Sequence, residues 1–205
     1  MAANNSEPSS PSRQGRISVT GQDVNNIQAQ NVTVSRATAE RVQAETVYIS
    51  QAGANRVEGQ TVEIRQGGVQ TLQGDSITIR QGGVVQAKAN SLAVTQGGIV
   101  LADTGDASLT TSSVGAILSS GNIVLDQSQA RVLLTRGDVT MNQCASGIVL
   151  ARNIKTGNNS GVVLMIAGKV DGDVKAVFGP AASMAFGAAF AVVFSFILWL
   201  RRRLS

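Results

Sequence analysis

The chain has 205 residues, a formal net charge of +4 and 43% hydrophobic residues, but only 3% aromatic residues, one Cys and no His. Without His there is no Ser-His-Asp or Cys-His catalysis and no His-ligated zinc, and Cys144 alone makes no internal disulfide and no four-Cys metal site. Arg201, Arg202 and Arg203 hold three of the charges; residues 1–175 carry 14 basic and 13 acidic groups with no basic cluster, so a nucleic-acid partner is not expected.

Residues 1–16 (MAANNSEPSSPSRQGR) lack an apolar stretch and are rich in Ser, Pro and Asn, so they read as a disordered polar leader without a signal peptide. From 17 to 177 the chain repeats. Apolar pairs two apart recur at Ile17/Val19, Val32/Val34, Val47/Ile49, Val62/Ile64, Ile77/Ile79, Leu92/Val94 and Ala107/Leu109, each step being fifteen. The series continues at Ile123/Leu125, Val139/Met141, Ile154/Thr156 and Val170/Gly172, with single-residue insertions. Apolar or small residues also recur five, seven, ten and twelve positions after each start. This is period-two burial within three short sides, and it predicts an all-β, triangular β-solenoid of about eleven coils of 15–16 residues. A channel this narrow takes Val, Ile, Leu, Ala and Gly and excludes Phe. The pairs Gly67-Gly68, Gly82-Gly83 and Gly97-Gly98 mark a corner where φ is positive or a side chain does not fit.

Four residues after the starts runs an amide column: Gln51, Gln66, Gln81, Gln96, then Thr111, Gln127, Gln143 and Asn158. Stacked amides bond from coil to coil, so a structural ladder is expected, with a binding stripe for a polymer or surface as the alternative. Arg65 and Arg80 stack one coil apart, with Glu63 on the same outward face. The acids are scattered: neither Asp103 with Asp106 nor Asp171 with Asp173 has an acidic neighbour in the next coil. No catalytic, metal or cofactor site is expected, and no small-molecule substrate; the chain is read as a non-enzyme. Cys144 reads as an apolar-type or surface position.

The segment Gly168-Lys-Val-Asp-Gly-Asp-Val-Lys175 resembles one winding of a bactofilin, a family of bacterial cytoskeletal β-helices whose windings often read Gly-x-Val-x-Gly-Asp-Val/Ile. The resemblance covers these eight residues. It implies a non-enzymatic, nucleotide-free polymer that stacks end to end and associates with membranes.

All five Phe and Trp199 lie in the last 28 residues, and residues 176–200 carry no charge. Twenty residues from Ala181 to Leu200 give roughly 30 Å as a helix, the thickness of a bilayer core, so 178–200 is expected to be a transmembrane helix. Trp199 and Arg201, Arg202 and Arg203 are its interface anchors, with 201–205 a basic tail. Gly179, Ser183, Gly187, Ala191 and Ser195 recur every four residues and form a small-residue stripe suited to helix self-association.

The expected protein is a single-pass, tail-anchored scaffold with its solenoid in the cytoplasm. Its expected partners are the lipid bilayer and copies of itself in a filament, ring or array. Two alternatives stand beside it. One is an exported surface stalk of adhesin type, which the Arg cluster after the span favours by the positive-inside rule. The other is a monomeric membrane adaptor whose amide stripe binds an unknown protein.

Overall fold

Each fifteen-residue unit spaces its apolar pairs by one residue, which in extended backbone puts both members on one face. The computed structural model describes residues 15–176. Its strands are β1 (Arg16–Thr20), β2 (Val24–Ser35), β3 (Thr38–Ser50), β4 (Gly53–Arg65), β5 (Gly68–Arg80) and β6 (Gly83–Thr95), then β7 (Gly98–Thr110), β8 (Ser113–Ser119), β9 (Ile123–Asp126), β10 (Gln129–Thr135), β11 (Asp138–Asn142) and β12 (Ala145–Ala176). They form one sheet in the order β1-β2-β3-β4-β5-β6-β7-β8-β10-β12-β11-β9, with a further β7–β9 pairing, and every pairing between them is parallel. The chain is an all-β parallel solenoid of about nine turns, with no helix among the described residues. The helix expected over 178–200 lies outside them.

Nine turns replace the expected eleven. Positive φ recurs at one corner, at Gly21, Arg36, Gln51, Gln66, Gln81, Gln96, Thr111, Gln127, Gln143 and Asn159. These corners delimit six turns of fifteen residues followed by three of sixteen. The figure of eleven counts every apolar strand start as a coil. A start bounds a turn rather than completing one, and those at Ile17 and Val170 lie toward the two ends, where both side chains are exposed. At about 4.8 Å per coil, nine turns stack to roughly 43 Å.

Pairing lapses at three points in each turn. Between β4 and β5 it covers Gly53–Ala54, Arg56–Gly59 and Thr61–Arg65, and skips Asn55, Gln60 and the Gln66-Gly67 corner. Three paired runs therefore surround one core. The core consists of vertical columns: Val32, Val47, Val62, Ile77 and Leu92; Val34, Ile49, Ile64, Ile79 and Val94; Val42, Val57, Leu72 and Ala87. All are buried, and the buried hydrophobic residues among those described include no aromatic. Tyr48 points outward, on the column of Glu63.

Glycine enters the core because space between coils is short. A Cβ on Gly67 would lie 2.5 Å from the Ala52 carbonyl oxygen, and one on Gly82 2.7 Å from that of Gly67. Neither glycine has positive φ; that conformation falls on the preceding Gln. Later coils fill the same column with Ser112, Ser128, Cys144 and Ser160, all buried. Their polar atoms turn back to backbone: Ser112 Oγ lies 2.7 Å from the Thr110 carbonyl, Ser128 Oγ 2.8 Å from that of Asp126, and Cys144 Sγ 3.0 Å from that of Asn142.

The insertions fall at corners. Thr104 pairs with Ser119, fifteen on, but Ala107 pairs with Ile123, sixteen on, so the extra residue lies within 120–122. Met141 pairs with Thr156, fifteen on, while the Cys144 N–H donates to Ser160 Oγ, sixteen on, which places another within 157–159.

Two substitutions test the packing in opposite directions. Gly67→Ala should destabilise by about 1–3 kcal/mol, because the Ala52 carbonyl it meets is corner backbone held by the Gly68 N–H and cannot swing aside. Ser146 occupies a core column with Val114 and Ala130, and its Oγ is the one buried side-chain polar atom without a hydrogen-bond partner among the described residues. Ser146→Ala should stabilise by about 1 kcal/mol, since it removes an unmet desolvation cost. Thermal unfolding followed by circular dichroism reads both.

Candidate functional site

The corner that begins each turn concentrates the side chains singled out by the sequence. Gln51, Gln66, Gln81 and Gln96 have φ of 52°, 53°, 54° and 54°, a left-handed conformation that non-glycine residues seldom adopt. It turns the chain between runs while their N–H groups stay bonded to the next coil: Gln51 donates to the Arg65 carbonyl at 2.9 Å and Gln66 to that of Arg80 at 3.0 Å. The side chains stack as a chain of amides. Gln51 Nε2 donates to Gln66 Oε1 at 3.2 Å, Gln66 to Gln81 at 3.1 Å and Gln81 to Gln96 at 3.1 Å. Thr111 takes the left-handed corner without an amide, and the chain resumes with Gln127 donating to Gln143 at 3.3 Å.

Asn158 does not take the next corner. The extra residue within 157–159 passes the left-handed φ to Asn159, and the Asn158 carbonyl instead accepts from the Gln143 N–H at 3.3 Å. The small-residue stripe Gly179, Ser183, Gly187, Ala191 and Ser195 and the anchors Trp199, Arg201, Arg202 and Arg203 lie outside the described residues. Among the described residues, no helix is long and apolar enough to cross a membrane.

Beside the ladder is a shallow groove of about 460 Å³, lined by Tyr48, Ser50, Arg65, Gln66, Arg80, Gln81, Thr95 and Gln96. Arg65 is fixed within it. Its Nε donates to Glu63 Oε1 at 2.8 Å, and its guanidinium carbon lies 5.4 Å from the centroid of the Tyr48 ring. Its pKa is raised above the ordinary arginine value, first by the hydrogen bond to Glu63 and then by the charge of that carboxylate. Arg80 stacks directly on Arg65 and makes no ion pair among the described residues. The groove can thus offer amide and guanidinium N–H groups to an acceptor-rich surface.

Acid-on-amide stacking, in three separate columns, was not apparent from the period alone. Acids stack on amides in successive coils: Asn90 Nδ2 donates to Asp75 at 3.0 Å, Asn142 Nδ2 to Asp126 at 3.1 Å and Asn153 Nδ2 to Asp138 at 2.7 Å. Asp106 Oδ1 accepts from the Asn122 N–H at 2.7 Å. The sequence signal was available, because each of these carboxylates has an Asn fifteen or sixteen residues further on. Among the described residues no group of three His, Cys, Asp or Glu is placed to hold a metal ion. Cys144 is buried.

No protein-family model matches the chain, nor does any curated protein or solved structure.

The ladder and the strained corner separate by substitution. Gln81→Ala loses both amide bonds and keeps a non-glycine residue in the left-handed region, so it should cost about 1–2 kcal/mol. Gln81→Gly loses the same bonds but relieves the backbone, so it should cost clearly less. Equal losses for the two variants in thermal unfolding would count against this account.

Proposed function

We propose that the chain is a non-enzymatic scaffold: a triangular β-solenoid fixed to a membrane by its C-terminal apolar segment, with the body on the cytoplasmic side, that assembles with copies of itself. The observation that carries the self-assembly is the edge of β1. Among the described residues β1 pairs with β2 alone, so its other row of N–H and C=O groups is open, whereas β3 to β6 are paired on both sides. A strand from another copy can add to that edge in the parallel register used throughout the rod. Such head-to-tail addition does not close on itself unless the rod curves, and it leads to filaments, rings or arrays.

The membrane part rests on the sequence of 181–200, which is long and apolar enough to span and is followed by Arg201, Arg202 and Arg203. The stripe from Gly179 to Ser195 supports helix contacts within the bilayer. The winding at Gly168–Lys175 adds the bactofilin likeness, a polymer of stacked β-helices at a membrane.

Deleting 181–205 should release the protein from the membrane pellet after cell fractionation; continued pelleting in carbonate would overturn the anchor. Gly187→Leu should reduce cross-linked oligomers of the full chain in detergent. Electron microscopy of the purified full chain should show elongated assemblies, and isolated single rods at high concentration would defeat the self-assembly reading.

A further inference from the structure

The outward surface changes character along the rod. On the run that contains Arg56–Gly59 and its stacked equivalents, two columns face out. One passes Arg56, Thr71 and Gln86 and then Leu101, Val132 and Ile148. Its neighbour passes Glu58, Lys88 and Asp103 and then Leu118, Leu134 and Leu150. The change from polar to apolar comes at Leu101 in the first column and one coil later, after Asp103, in the second. Ile148 and Leu150 are 41% and 42% exposed, and Leu164 and Ile166, sixteen residues further on, are 49% and 54% exposed. Five stacked coils make this face about 20 Å long, larger than the scattered apolar residues of an ordinary surface.

Its margins are basic. Arg131 stands at the corner on one side, and Arg136 and Arg152 stand just past the other; all three are exposed and none is in an ion pair among the described residues. Of the acids in these coils, Asp106, Asp126 and Asp138 sit on the neighbouring run and already accept from Asn122, Asn142 and Asn153, and Asp103 stands on the face only at its first coil, against Leu118. This charge pattern selects the occupant. A second copy packed face to face would bring basic margin against basic margin, with Asp103 at the first coil the one acid on the face. A bilayer with anionic headgroups offers acyl chains to the leucines and phosphates to the arginines, whose long stems lie along the apolar surface.

We propose that the face from Leu101 to Ile166 rests on an anionic lipid surface, so that the C-terminal coils lie along the bilayer rather than standing off it. This rests on the membrane reading above and adds an orientation to it. The face also widens toward the end of the rod that leads into the apolar stretch 178–200, so one bilayer can take both.

The test uses the full chain reconstituted in vesicles of phosphatidylcholine and phosphatidylserine. In a Cys144→Ser background, which copies Ser112, Ser128 and Ser160 of the same column, a single cysteine is placed at Leu150→Cys on the face or at Thr140→Cys on the neighbouring run, and labelled with an environment-sensitive fluorophore. Leu118→Cys gives a second position on the face. The labels at 150 and 118 should shift to the blue and be quenched by lipid-borne spin labels. The label at 140 should stay water-like and be quenched by iodide. Replacing phosphatidylserine with phosphatidylcholine, or combining Arg131→Gln, Arg136→Gln and Arg152→Gln, should reverse the blue shift. Labels at 150 and 118 as open to iodide as that at 140 would overturn the proposal while leaving the anchor in place. Protection from iodide without lipid quenching would overturn it in favour of a second copy on the face. Failure of the chain to float with vesicles would overturn the anchor as well.

Discussion

Everything in this fold follows from one coil lying on the next at the distance of a β-sheet hydrogen bond. Because residue i sits on i+15 or i+16, every side chain has a stacked neighbour about 4.8 Å away above and below, except at the ends. Each column must therefore hold residues that tolerate such stacking. Inside, the aliphatic columns do so by interdigitation, and an aromatic ring has no room. Outside, Gln on Gln and Asn on Asp satisfy each other by hydrogen bonds. Arg56 on Arg41 and Arg80 on Arg65 are exceptions; Glu58 pairs with Arg56, and Glu63 and the Tyr48 ring hold Arg65. Exposed pairs of this kind contribute little net stability, so the load stays with the core.

The corner shows how strain and stacking offset each other. A left-handed non-glycine residue costs about 1 kcal/mol, and it recurs at nine positions from Arg36 to Asn159. Glycine might be expected to take that conformation. It is drawn instead to the next position, where the carbonyl of the coil below leaves no space for a Cβ. Gln then occupies the turn, and its amide chain and inter-coil N–H bonds offset part of the strain. The order Gln-Gly-Gly thus reflects two different demands at adjacent residues.

Much of this was legible in the sequence because a period constrains many residues at once. The pairs Val47/Ile49 to Ile154/Thr156 stack in the register that their spacing implies. What the period could not carry lies at its breaks and on its outer surface. The insertion within 157–159 moved the corner from Asn158 to Asn159, because spacing locates an extra residue only to within a corner. The open ends turned eleven strand starts into about nine turns. Positive φ belonged to Gln66 rather than Gly67, since composition cannot separate conformational freedom from lack of space. The apolar face does not follow from alternation. Its signal was the failure of alternation, in the runs 132–134, 148–150 and 162–166.

The two halves of the rod thereby acquire different surfaces on a common core. The unbroken amide ladder and its groove occupy the coils from Gln51 to Gln96, and the exposed leucines begin at Leu101. Thr111 interrupts the ladder one coil into the apolar half. A parallel stack is polar, so these halves cannot be exchanged by turning the rod over. In the proposed arrangement, the C-terminal coils are held along a bilayer while the open edge of β1 stays in water at the other end. Confinement to a surface raises the local concentration of that edge and limits the directions from which another rod can approach. A weak strand-to-strand contact is then sufficient for assembly at the membrane and insufficient away from it, which is the behaviour a membrane scaffold requires.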